Sequence, residues 1–251
     1  MELLKEHFQN KMETEILKLK TTLVKNFWRD ELIKVGSLIS NSKKKNLKVL
    51  TLTNSRNIEE VSLLTKEYLS SKEFLFAWCN NSTEAYSLAS EGKFKDVVEA
   101  ANFEECFTDC PDHEIFNEFP FCICNLDFTS QDIAANSGRI EKELLSIEKL
   151  VQKQIMTGSA KNWLLIYTSI IDDNNVDSQA VKSNSDRISV TGWRGITFTI
   201  NPRTTSQEEV KRLIDECLAE LLKKYNLSSE VKTFTKRINS HEIISKTLLF
   251  K

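Results

Sequence analysis

The chain has 251 residues, of which 40% are hydrophobic and 28% charged, with a formal net charge of −2. That length buries a sizeable core without disulfide staples, and the near-balanced charge excludes a global pull toward nucleic acid or an anionic membrane. No apolar stretch approaches the roughly 20 residues needed to cross a bilayer. The start, Met1-Glu2-Leu3-Leu4-Lys5-Glu6, lacks the basic-then-apolar layout of a signal peptide, so the six cysteines are expected to be reduced thiols in a cytoplasm.

Residues 3–33 read as a helix, because Leu4, Phe8, Met12, Ile16, Leu19, Leu23 and Phe27 recur three and four apart. Gly36 is its expected stop, which gives an N-terminal helical extension over 1–36. Two readings stay open for its apolar stripe: packing on the body of the same chain, or contact with a protein partner or a second copy. A main domain over 48–251 follows the polar loop at Lys43-Lys44-Lys45.

Lys48-Val49-Leu50-Thr51-Leu52-Thr53 makes a first strand, Asn54-Ser55-Arg56-Asn57 a turn, and Ile58 to Leu69 an amphipathic helix. Phe74 to Trp78 makes a second, aromatic-rich strand, broken by Asn80-Asn81-Ser82, with a helix from about Thr83 to Ala89. Val97 to Ala101 reads as a short helix and Glu105-Cys106-Phe107-Thr108 as a short third strand.

The chain is organised around Phe119-Pro120-Phe121-Cys122-Ile123-Cys124-Asn125-Leu126-Asp127, an apolar run that stops abruptly in polar residues. Such a run reads as a strand buried on both faces, the fourth, with Asp127 at its carboxyl end. Ile140, Leu144, Ile147, Leu150, Val151 and Gln154 trace the next helix, and Trp163 to Thr168 a fifth strand. Ile188-Ser189-Val190 and Ile196 to Ile200 alternate with period two around Gly192-Trp193-Arg194-Gly195, which predicts a hairpin. Ser206 and Glu209 form a capping box for a helix through Leu222, and strands over Val231–Lys236 and Ile243–Phe250 close the chain. Strands alternating with helices predict an α/β fold: a mostly parallel Rossmann-like sheet with helices on both faces and a ligand crevice between the first and fourth strands.

A carboxylate at the end of a central strand is costly if buried unpaired, so Asp127 calls for a ligand, a cation or a helix N-terminus; capping of nearby amides is the competing reading. Cys106, Cys110 and His113 approach zinc spacing, but no CxxC pair accompanies them. Cys122 and Cys124, placed inside a buried strand, read as small apolar residues, so no metal is expected. No P-loop, G-x-G-x-x-G or G-x-S-x-G is present. Nucleic-acid binding has only the scattered clusters Lys43–Lys45 and Lys236-Arg237 behind it.

The element order over 48–250 resembles the class I S-adenosylmethionine-dependent methyltransferases, whose seven strands end in an antiparallel pair. In that resemblance the 187–200 hairpin is an insertion before the last helix. The family's glycine-rich loop after the first strand corresponds here to Thr53-Asn54-Ser55-Arg56-Asn57, without glycine, so the motif is degenerate. The ribose-gripping position after the second strand falls at Asn80, the adenine-contacting position after the third at Asp109, and the motif after the fourth at Asn125 and Asp127. The resemblance therefore implies S-adenosylmethionine as cofactor, lined by Asn54, Ser55, Asn80, Asp109 and Asn125, with Asp127 as the catalytic residue facing the substrate. A methyltransferase-like module without catalysis, serving to bind a partner or a nucleotide, is the alternative that the missing glycines imply, since glycine permits close backbone approach to a ligand.

Overall fold

The computed structural model describes residues 14–15, 18–19, 22–39, 47–52, 75–79, 82–92, 94–99, 114–128, 139–158, 161–171, 188–191, 197–200, 207–238 and 241–251. In chain order, a π-helical turn over Leu23–Phe27 leads into α1 (Arg29–Ile39), then β1 (Val49–Leu52), β2 (Leu75–Cys79), α2 (Ser82–Ser90) and β3 (Asp96–Glu99). A 3-10 turn over Glu114–Glu118 precedes β4 (Ile123–Asp127). There follow α3 (Arg139–Met156), β5 (Trp163–Ile171), β6 (Ile188–Thr191), β7 (Thr197–Ile200), α4 (Gln207–Lys224), β8 (Ser229–Ile238) and β9 (His241–Phe250).

Seven strands form one sheet in the order β3-β2-β1-β4-β5-β9-β8. The first five are parallel, and β9 and β8 add in antiparallel fashion. β6 and β7 pair with each other as a separate antiparallel hairpin. The central strands are buried along their whole length, which accounts for their near-continuous apolar sequences.

Strand alternation divides the core into two clusters, one on each face. Leu50, Phe76, Cys124, Leu126, Trp163 and Leu165 turn toward α3 and α4. Val49, Leu75, Ala77, Ile123, Leu164 and Ile166 turn toward α1, α2 and the segment before α1. On α3 the stripe Ile140, Leu144, Ile147, Leu150 and Val151 faces the sheet, each residue at most 4% exposed. Burial on this scale contributes about 1.5–3 kcal/mol for each large aliphatic side chain. Gln154 continues the stripe for a different reason: its amide accepts from the Phe121 N–H at 2.8 Å and donates to the Phe121 carbonyl at 2.7 Å. That paired contact fixes the approach to β4, just after the cis Phe119–Pro120 bond.

Three expectations change. Val97 does not begin a helix; it lies in β3, which is the third strand of the sheet. The tertiary ladder overrides the local pattern, because four residues hold too few turns for helical period to assert itself. Gly36 does not stop the N-terminal helix, which runs to Ile39 but is interrupted by the π-turn before Trp28. Cys122 sits just before β4 and is half-buried, whereas Cys124 is inside it and fully buried. Leu19 and Leu23, from the predicted N-terminal stripe, pack into the cluster on their own sheet.

Candidate functional site at the carboxyl ends of β1 and β4

β1 and β4 are adjacent and parallel, and the chain leaves them in opposite directions, toward β2 on one side and β5 on the other. Strand order therefore reverses here, as predicted, and the carboxyl ends of such a strand pair are where open α/β sheets bind ligands. Thr51 and Asn125 lie directly opposite each other in the ladder. The Asn125 amide donates to the Thr51 hydroxyl at 3.2 Å, and both residues are 1% exposed. Asn125 thus ties the two strands together near their carboxyl ends.

Asp127 is the last residue of β4 rather than the first of a loop, and it is buried. Its ladder partner is Thr168 on β5. Alternation from Val49, Ile123 and Ile166 puts Thr51, Asn125, Asp127 and Thr168 on one face, the face covered by α1. A carboxylate in such a place requires compensating donors.

Three residues on that face escaped the sequence reading. The Trp28 indole N–H donates to the Ser245 hydroxyl at 3.1 Å, and Ser245 shares a 3.1 Å hydroxyl–hydroxyl bond with Thr168. The local signal is weak: hydroxyl residues at Thr168 and Ser169 interrupt the apolar run of β5, and Ser245 lies among other polar residues of β9. On the opposite face, the Tyr167 phenol donates to the buried Glu143 carboxylate at 2.7 Å, joining β5 to α3.

Of the residues assigned from sequence, Asn125 and Asp127 both lie in β4, two positions apart and on one face. Asn54, Ser55, Asn80 and Asp109 lie outside the described residues, as do Cys106, Cys110, His113 and Trp193-Arg194. The third strand ends at Glu99, so Asp109 no longer directly follows it. Burial pushes the Cys124 thiol well above its ordinary range and raises that of Cys122 as well. Among the described residues no cluster of three or more His, Cys, Asp and Glu side chains is arranged to hold a metal ion. No helix among them is long and apolar enough to cross a membrane.

No protein-family model matches the chain, and no curated protein matches it. Solved structures do resemble it. Human methyltransferase-like protein 13, in complex with SAH, is 12% identical over 86% of this chain and 79% of its own, with a TM-score of 0.44. Fibrillarin of Aeropyrum pernix, with natively bound S-adenosyl-L-methionine, is 10% identical over 85% and 73%, with a TM-score of 0.41. The plantazolicin methyltransferase BamL is 9% identical over 98% and 99%, with a TM-score of 0.43. The strand order, not these likenesses, carries the assignment of fold. With its order reversed between β1 and β4 and its antiparallel closing pair β9 and β8, the chain has a mostly parallel Rossmann-like α/β fold, in the strand arrangement that the sequence resemblance implies.

Proposed function

We propose that this methyltransferase-like protein binds S-adenosylmethionine at the carboxyl ends of β1 and β4 in an atypical pose. The observation that carries this reading is the buried carboxylate of Asp127 at the point where strand order reverses. A carboxylate there suits a ribose hydroxyl or an ammonium group, both of which S-adenosylmethionine has. When bound, that cofactor supplies an electrophilic methyl group. Asn54, Ser55, Asn80 and Asp109 are the proposed cofactor contacts from the loops. Asn125 serves indirectly in this reading, by holding β4 to β1 through Thr51. Asp127 orients the bound molecules and accepts a hydrogen bond from one of them.

Thr53 to Asn57 carry no glycine, so backbone approach to the cofactor is less close and the affinity weak. A dissociation constant on the order of 10−4 M is expected. Titration calorimetry tests this on the wild type and on Asp127→Asn. Weak binding that Asp127→Asn weakens about tenfold further supports the reading, on the scale of one hydrogen bond to a charged group. Tight binding that Asp127→Asn leaves untouched overturns it. Absence of binding transfers the conclusion to the alternative, a module without cofactor that binds a partner or a nucleotide.

A further inference from the structure

α1 lies along the edge strand β8, and each of its turns meets one step of that strand. Phe27, just ahead of α1, packs on Phe234 with ring centroids 5.6 Å apart, Glu31 pairs with Lys232, and Lys34 bonds Glu230 at 2.8 Å. Residues 27, 31 and 34 stand on one side of the helical segment, and 234, 232 and 230 on one face of the strand. One helical turn rises about 5.4 Å and two strand residues about 6.6 Å, so the two repeats nearly match. A helix matched in this way has a neighbouring position one turn along. The apolar contacts of Leu23, Leu32 and Val35 are non-directional and tell the two positions apart only by side-chain volume.

The hydrogen bond of Trp28 does not tell them apart either. Its indole N–H donates to the Ser245 hydroxyl at 3.1 Å. Two residues along β9, on the same face by strand alternation, the Thr247 hydroxyl is buried and has no hydrogen-bond partner among the described residues. Ser245 is opposite Phe234 in the ladder and Thr247 opposite Lys232. A slide that carries Trp28 to Thr247 therefore carries Phe27 to Lys232 and Glu31 to Glu230. A slide the other way puts Trp28 over Ile243, which has no side-chain acceptor, and sets Lys34 against Lys232. Only the native position gives Glu31 a cation on β8.

That pair is poorly made for stability. The Glu31 side chain is fully buried, and the ammonium groups of Lys34 and Lys232 both lie on its Oε1. Its Oε2 is buried with no hydrogen-bond partner among the described residues. A buried ion pair with an unmet acceptor is often no more stable than an apolar pair of the same volume, but it does specify register. We infer that Glu31 and Lys232 are a register key: their pairing holds α1 in one of two positions, a turn apart, that the rest of the sheet accepts alike. The second position, with Trp28 on Thr247, is excluded because it sets the buried Glu31 carboxylate against Glu230. None of this depends on the S-adenosylmethionine reading.

The test uses 15N-labelled full-length protein, with the Trp28 indole N–H signal identified by its loss in Trp28→Phe. The wild type is expected to show one such signal. Glu31→Leu with Lys232→Met removes both charges and keeps the bulk, and should give a second Trp28 signal of about a tenth of the total, from the slid position. Adding Thr247→Val removes the acceptor in that position and should abolish the second signal. A single signal in the charge-free variant overturns the inference, and so does a second signal that survives Thr247→Val. Urea denaturation is the independent measurement. Lys232→Met alone should lower the midpoint, because the buried carboxylate then has Lys34 only, and adding Glu31→Leu should restore it to the wild-type value or above. A charge-free variant that stays as unstable as Lys232→Met, or does not fold, assigns the pair to stability and overturns the inference.

Discussion

On one face of the sheet, α3 and α4, each of 18 residues, lie over Leu50, Leu126, Leu165, Ile244 and Leu248. Polar atoms on that face sit at the ends of long side chains: the Tyr167 phenol meets Glu143, and the Lys246 ammonium meets Asp215 and Thr233. On the other face, the short α1 and the irregular turn before it cover Thr51, Asn125, Asp127, Thr168 and Ser245. There the polar atoms are on short side chains, and two pairs of them bond directly across neighbouring strands, Asn125 with Thr51 and Thr168 with Ser245. The first face obtains its stability from volume and contact, which no single position dominates. The second gives up apolar area for hydrogen bonds that join β1 to β4 and tie Trp28 and β5 to β9. Strand-to-strand registration of polar groups is therefore concentrated on the smaller, less regular face, and apolar packing on the other.

The largest expected effect belongs to the regular face. Phe250 stacks on Trp163 with ring centroids 4.0 Å apart and planes 3° off parallel, and both residues are fully buried. Phe250→Ala should cost about 3–5 kcal/mol of unfolding free energy, through lost transfer energy and the cavity left behind. Urea denaturation measures it. If the two faces divide the labour as described, the folded fraction of this variant keeps its ligand affinity. A change in affinity would mean that the faces are not separable.

A smaller loss is expected on the polar face. Asn125→Ala leaves the Thr51 hydroxyl buried without its partner, at a cost of about 1–3 kcal/mol. Replacing both groups by apolar ones of similar shape, Asn125→Leu with Thr51→Val, should recover part of that loss, because the Thr51 hydroxyl is then not stranded. Chemical denaturation of the two single variants and the double variant reads the coupling directly. Strictly additive losses would show that the 3.2 Å contact contributes little beyond packing.

Much of this division could be read from sequence, and its limits are physical. β1, β2, β4 and β5 announced themselves because strands buried on both faces leave unbroken apolar runs. The 188–200 hairpin was legible from its period of two. β3 was not, because Asp96 to Glu99 is too short to display a period and is followed by residues that favour helices. At the site, Asp127 stood out because a charge ended an apolar strand. Trp28 and Ser245 did not, because their hydrogen bond spans 217 positions in the chain and neither residue looks unusual among its neighbours. Local pattern reveals which residues will be buried. Which buried polar groups meet depends on the order of strands, and that order is a property of the whole chain.

The smallest effect concerns how α1 is held at its outer edge. Lys34 of α1 bonds Glu31 at 3.0 Å and Glu230 of β8 at 2.8 Å, and Lys251 meets Glu230 from the other side at 2.8 Å. Lys251 first, and Lys34 next, hold the Glu230 carboxyl down at about 2, from an ordinary value of 4.5. Glu230, followed by Glu31, holds the Lys34 ammonium above its ordinary range. The folded carboxyl is the stronger acid, so its contribution to stability is complete above pH 4.5 and is lost as pH falls from there to about 2. Glu230→Gln removes that contribution at neutral pH and leaves nothing to titrate. The difference in melting temperature between wild type and Glu230→Gln should therefore be largest above pH 4.5 and shrink toward zero near pH 2. It should also shrink in about 1 M salt, where the Debye length falls to about 3 Å and exposed charges are screened from one another. The effect is small because solvent already attenuates these pairs. A difference that persists unchanged at low pH would assign the stabilisation to the packing of the Glu230 side chain instead of to its charge. The tie between α1 and the sheet would then rest on Trp28, the Glu31–Lys232 ion pair and the apolar contacts of Leu32 and Val35.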